Sequence, residues 1–288
     1  MKKLRTHVGI ILLAFVVSIP TLSQAQKRSR GENDTSRGRL DTRLPKQKGA
    51  TAKELDSRCN RGDLHGCSAL AYLMLKGEGT AKNVQRAEEL FESNCKKGQL
   101  ADCTNLGNLV SQGRAKKPAN PKRARELYSR ACDGGHGVGC LNLGVMLDKG
   151  LGGSADLPQA AKFFRKACDK KQLFGCTQLG ELYERGRGVV QDNVHAQKLY
   201  AQACDGSEVH GCYRLGLALD QGLGGKRNPD KAAHVFGNAC KWGSAEACMK
   251  IAEKTEKGVG VPQDKARAKV YYGLACDRGL KKACKKRR

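Results

Sequence analysis

Ala167-Cys168-Asp169-Lys170-Lys171-Gln172-Leu173-Phe174-Gly175-Cys176 holds two cysteines with seven residues between them, and the chain is built around copies of this stretch. The fourteen cysteines form seven such pairs: Cys59 and Cys67, Cys95 and Cys103, Cys132 and Cys140, Cys168 and Cys176, Cys204 and Cys212, Cys240 and Cys248, Cys276 and Cys284. First cysteines recur every 36 residues, with one 37-residue step from Cys95 to Cys132, and no cysteine is left over. A fixed period of this length marks an array of repeated supersecondary units.

The residues around each pair fall into columns. Alanine stands eight residues before the first cysteine from the second pair onward (Ala87, Ala124, Ala160, Ala196, Ala232, Ala268), and an aromatic four before it (Phe91, Tyr128, Phe164, Tyr200, Phe236, Tyr272). Steps of four place alanine, aromatic and cysteine on one helical face. After the second cysteine come Leu70, Leu106, Leu143, Leu179, Leu215 or Ile251, each followed by a small residue (Ala71, Gly107, Gly144, Gly180, Gly216, Ala252). Small residues suit a helix crossing, and a glycine ten residues after the second cysteine, as at Gly77 and Gly186, suits a helix end. Each unit therefore reads as an antiparallel helix pair. Helix A is expected to start at the second cysteine, and helix B to run from an Asn or Asp cap (Asn120-Pro121, Asn228-Pro229) to the next first cysteine.

Two chemistries can use such cysteines. His65, His136 and His210 lie between paired cysteines and invite zinc, but zinc fingers and ribbons use closer ligand pairs, and four of the seven turns have no histidine. Local disulfides are the favoured reading, because each pair can close across its own turn. No metal and no cofactor is expected. Gly150-Leu151-Gly152-Gly153 and Gly222-Leu223-Gly224-Gly225 lack the preceding strand and the Gly-Lys-Ser/Thr ending of a phosphate loop, so they read as turns.

Residues 1–25 read as a secretory signal peptide: Lys2, Lys3 and Arg5, an apolar run from Val8 to Val17, then Ser23-Gln24-Ala25. A retained anchor and a mitochondrial transit peptide are the alternatives; a lipoprotein anchor is excluded, since no cysteine closes the apolar run. Residues 26–50 are basic and nearly devoid of apolar side chains, the composition of a disordered linker, and 51–288 form the repeat array. Export and an even cysteine count both point to an oxidising compartment, so a periplasmic or secreted protein is expected, with no transmembrane span after signal cleavage. The formal net charge is +25. Nucleic acid is not the expected partner, because the cations are spread over helices and two ends, with no aromatic-interleaved patch. A protein or peptide partner is expected, with an anionic envelope surface as a further one, and the chain is expected to be a monomer.

Leu179-Gly180-Glu181-Leu182-Tyr183-Glu184-Arg185-Gly186-Arg187-Gly188-Val189, together with the Ala-x-x-x-Tyr-x-x-Ala-Cys column, resembles the Sel-one-like repeat (SLR) family. The cysteine-bearing version is similar to the Helicobacter cysteine-rich protein branch. The resemblance covers essentially all of 51–288. It implies an all-α fold, a right-handed α/α superhelix of about six helix pairs with a disulfide staple in each repeat, a concave face lined by the A helices, and a role as a protein-interaction scaffold. It also implies penicillin binding or weak β-lactamase activity, but no catalytic residue can be carried over. Ser93-Asn94-Cys95-Lys96 matches Ser-x-x-Lys alone; Ser-Asp-Asn is absent, and Lys254-Thr255 is followed by Glu256. An envelope scaffold is thus the leading expectation. A β-lactam or peptidoglycan hydrolase and an organiser acting through the basic ends are the alternatives.

Positions two, five and nine after the second cysteine share one stripe of helix A and avoid the inward columns. There the side chains vary while the core columns repeat. Asn105, Asn108, Gln112, Asn142, Gln178, Glu181, Arg185 and Arg214 are the candidate binding residues, the amides being suited to hydrogen-bonding an extended peptide backbone.

Overall fold

The computed structural model describes residues 50–113 and 118–287. The expected signal peptide, and the linker up to residue 49, lie outside the described residues. Among the described residues fourteen helices follow one another: α1 Ala52–Asn60, α2 Leu64–Lys76, α3 Val84–Lys96, α4 Leu100–Gln112, α5 Pro121–Asp133, α6 Gly137–Lys149, α7 Leu157–Asp169, α8 Leu173–Arg185, α9 Asn193–Asp205, α10 Val209–Gln221, α11 Pro229–Lys241, α12 Ala245–Lys257, α13 Lys265–Asp277 and α14 Lys281–Cys284. No strand occurs among the described residues. The even-numbered helices are the A helices and the odd-numbered ones the B helices.

The expected boundaries shift slightly. Each A helix begins three residues before its second cysteine, and each B helix runs one residue past its first. Both cysteines of a pair therefore sit inside helices, one in the last turn of B and one in the first turn of the next A. That places their Cα atoms 4.4 to 4.8 Å apart, and all seven sequence-neighbour pairs are closed as disulfides with no free cysteine. No thiolate remains for zinc. The caps explain the starts. Asp63, Glu208 and Ser244 accept backbone N–H groups at the A-helix N-termini, and Asn120 and Asn228 cap B helices that open on proline. Helices α2 to α12 of the A set all end on a left-handed glycine, with φ between 63° and 76°.

From α3 on, each B helix packs between the A helix before it and the A helix after it, and A helices also touch directly, α4 with α6 and α8 with α10. This closer spacing makes the A helices the inner layer of a curved stack and the B helices the outer one. The aromatic column fills the core: Phe91, Tyr128, Phe164, Tyr200, Phe236 and Tyr272 are at most 2 % exposed. Each ring needs a small residue opposite. A Cβ on Gly180 would fall 2.6 Å from Tyr200 Cε1, so that position admits no side chain without displacing the ring. A second contact locks one repeat to the previous one. Gly152, at φ 80°, brings the α6–α7 loop against the first residue of α5, where a Cβ would meet the Pro121 carbonyl at 2.5 Å. The glycine-rich loops are thus repeat-to-repeat contacts, which accounts for their spacing.

Candidate functional site

The A helices present their variable side chains to one another along the inner face, and a regular geometry follows. In every second repeat, the residue two after the second cysteine reaches the residue five or eight after it on the preceding A helix. Asn142 Nδ2 donates to Asn108 Oδ1 at 3.1 Å, Arg214 Nη2 donates to Glu184 at 2.7 Å, and Lys286 Nζ lies 3.8 Å from Glu256. The B-helix tyrosines join these contacts from behind. Tyr128 donates to Asn108 at 2.6 Å, Tyr200 to Glu184 at 2.6 Å and Tyr272 to Glu256 at 2.7 Å.

Where α4 meets α2 and α3, the polar contacts are neutral or buried. Asp102, wholly buried, accepts from Ser68 Oγ at 2.5 Å and Asn94 Nδ2 at 2.7 Å, tying α4 to α2 and α3. Burial pushes its carboxyl above the usual aspartate range, against the pull of Ser68, Asn94, Asn105 and the charge of His65. Thr104 and His136 Nδ1 meet at 2.9 Å across the next interface. Burial also raises the Tyr128 hydroxyl to about 12, so it stays a donor at any ordinary pH.

From α6 onward, ion pairs join one repeat to the next along this face. Asp148 pairs with Arg187 at 3.0 Å, and Asp220 with Lys254 at 2.6 Å. Between them Arg214 bridges two carboxylates, with Nη2 2.7 Å from Glu184 and Nε 3.3 Å from Glu181. The Nε contact is one of charge: its hydrogen finds no well-directed acceptor. Burial works against the Glu181 carboxylate, but His210 at 3.0 Å and Arg214 outweigh it and hold Glu181 below the usual glutamate range. Burial, then the bond to Glu184, drives the Tyr200 hydroxyl far up. Around this cluster lie Phe174 and Tyr213, half-buried, with ring centroids 6.4 and 6.3 Å from His210.

The predicted binding residues divide accordingly. Asn105 and Asn108 are each 2 % exposed, so they cannot offer amides to a peptide as expected; Asn108 is an inter-repeat contact bonded by Asn142, and Asn105 lies against Asp102 of its own helix. Gln112, Asn142, Gln178, Glu181 and Arg214 are half-buried, and Arg185 is exposed. Glu181 and Arg214 are joined in one cluster, and Asn108 and Asn142 in another. Glu184, Tyr200, His210 and Tyr213 were missed. The available signal was the strict alternation of Phe and Tyr in the aromatic column, which announces a polar partner in every second repeat. Ser93 is exposed on α3, and Lys96 points to Glu92 at 3.4 Å rather than to the serine.

Stapled turns, a glycine-aromatic core and an inner layer of A helices define a disulfide-bonded helical-repeat solenoid. The chain belongs to the Sel1 repeat family, whose profile matches residues 64–98, 101–136, 137–171, 174–207, 209–237 and 245–280. Such repeats generally mediate protein–protein interaction. Among solved structures, the chain is similar to c5321, a protective antigen of uropathogenic Escherichia coli with an SLR fold. Identity is 26 %, TM-score 0.76, over 81 % of this chain and 50 % of that one. The chain thus spans half the length of that antigen. A Sel1 repeat protein from Oxalobacter formigenes shares the fold at 18 % identity and TM-score 0.70, over 78 % of this chain and 90 % of that one. Helicobacter pylori cysteine-rich protein B matches at 27 % identity over 46 % of this chain and 94 % of its own, with TM-score 0.38. No curated protein matches significantly.

Proposed function

We propose that the chain is an exported scaffold that binds polypeptide partners along its inner A-helix face, in the periplasm or outside the cell. The observation that carries the reading is the set of seven closed disulfides. Disulfides persist in oxidising compartments, and a stack in which each repeat meets only its neighbours gains most from local staples. Among the described residues no helix is long and apolar enough to cross a membrane. The inner face varies in sequence where the core columns do not, as a recognition surface on a fixed frame does. A second role, contact with an anionic envelope surface, is supported by Lys281, Lys282, Lys285 and Arg287, which stand exposed together at one end. The test is affinity capture from oxidised envelope extract. The full chain should retain a specific polypeptide that Gln178→Ala/Arg185→Ala releases. A partner kept by that variant but lost on removing residues 281–288 would contradict inner-face binding.

A further inference from the structure

One column of the inner face alternates from repeat to repeat. Five residues after the second cysteine stand Tyr72, Val145 and Leu217 in repeats one, three and five, and all three are half-buried. Repeats two, four and six have Asn108, Glu181 and Glu253 there. The B helices alternate in phase: phenylalanine (Phe91, Phe164, Phe236) behind the apolar positions, tyrosine behind the polar ones. Each tyrosine hydroxyl bonds a polar residue of its own repeat's A helix. Apolar shelves at Val145 and Leu217 therefore flank the closed polar cluster of repeat four, while Tyr72 carries Lys76 over its ring at 4.6 Å. The spacing between shelves is two helix layers. Packed helices lie roughly 8–10 Å apart, so shelves recur at roughly 16–20 Å. An extended chain rises about 3.3 Å per residue and returns a side chain to the same face at every second residue, so about six residues span one shelf to the next.

Charge adds a second selection. The carboxylates of this face, Asp148, Glu181, Glu184, Asp220, Glu253 and Glu256, each lie within 4 Å of a cation of the chain itself. Nine residues after the second cysteine, Lys149, Arg185 and Lys257 are exposed and make no ion pair among the described residues. The groove's uncompensated charge is positive. We propose that the inner face takes an extended acidic polypeptide whose apolar side chains fall six residues apart, seated on Val145 and Leu217 with carboxylates toward Lys149, Arg185 and Lys257. The proposal rests on the inner face being the binding surface and adds the register and sign of its partner.

Fluorescence anisotropy with labelled synthetic peptides of Glu, Ser and Gly tests it on the oxidised full chain. One peptide carries two leucines six residues apart, a second has them three apart, and a third has none. The six-residue spacing should bind about tenfold more tightly than the three-residue one, the effect of one leucine losing its seat. Leu217→Ser and, at a site where folding is not at stake, Arg185→Glu should each weaken it about tenfold. Equal binding of both spacings, with loss in Leu217→Ser, overturns the register and leaves the inner face as the surface. Unchanged affinity in both variants overturns both readings. Binding to phosphatidylglycerol vesicles and to none of the peptides also overturns the proposal.

Discussion

Between α2 and α4 the polar contacts run through Ser68, Asn94 and Asp102, whereas between α8 and α10 they run through Glu181, Glu184, His210 and Arg214. The backbones of the two regions are the same helix pair, with the same staple and the same crossing of a small residue, Ala71 or Gly180, with an aromatic ring. The fold therefore leaves the chemistry of the inner face free. One interface buries a carboxylate among neutral donors; the other half-exposes two carboxylates and neutralises them with a guanidinium. The frame is common property, and the polar contacts are individual. Changes that touch the frame should cost both regions equally, and changes that touch the polar contacts should separate them.

The largest effect belongs to the frame. Replacing Cys95 and Cys103, or Cys204 and Cys212, by alanine should cost about 2–3 kcal/mol in either case, the chain-entropy figure for a loop of this size. Urea unfolding of the two variants checks it. Unequal losses would mean that the staples are not interchangeable and that the regions differ in more than polar chemistry. Removing a tyrosine hydroxyl comes next. Tyr200→Phe gives up a bond to the Glu184 carboxylate, and Tyr128→Phe one to the Asn108 amide. Bonds to charged groups contribute about 1.5–3 kcal/mol and neutral ones about 0.5–1.5 kcal/mol, so Tyr200→Phe should be the more destabilising of the two by chemical unfolding.

Much of this was legible in the sequence, for definite reasons. The cysteine period, the alanine-aromatic column and the small residues after Leu179 and its equivalents state the helix pair, because each column answers a packing need that recurs in every unit. The helix starts were misplaced by three residues, because the residue four before each second cysteine varies (Asp63, Gln99, His136, Gln172, Glu208, Ser244, Leu280) and only some of these side chains cap. Helical spacing correctly put Asn105 and Asn108 on the variable stripe. It could not show that both are buried, since coverage depends on the distance between repeats and not on the period within one. Glu181 and Arg214 were seen as separate candidates for the same reason: their pairing crosses from one unit to the next.

The smallest expected effect is the one that distinguishes the two regions by sign. Asp102 is held above the usual aspartate range by burial, so its ionisation penalises the folded state; that penalty grows as pH rises through the folded pKa and vanishes in acid. Glu181 is held below the usual range by His210 and Arg214 in spite of burial, so its contribution is present above the unfolded glutamate pKa and is lost as pH falls through the folded one. Asp63 and Glu92 are also held low, but they act on α1 to α3 and α5, which leaves α4 to report on Asp102. Native-state hydrogen exchange of the oxidised chain at about pH 7 and about pH 3.5, values that bracket the ordinary carboxylate range, reads both interfaces at once. Corrected for intrinsic rates, protection in α8 and α10 should fall on acidification while that of α4 holds or rises, and Asp102→Asn should remove the response of α4. A parallel fall in all three helices, or a loss that begins in α4, would contradict the claim that one frame is stacked by two polar chemistries.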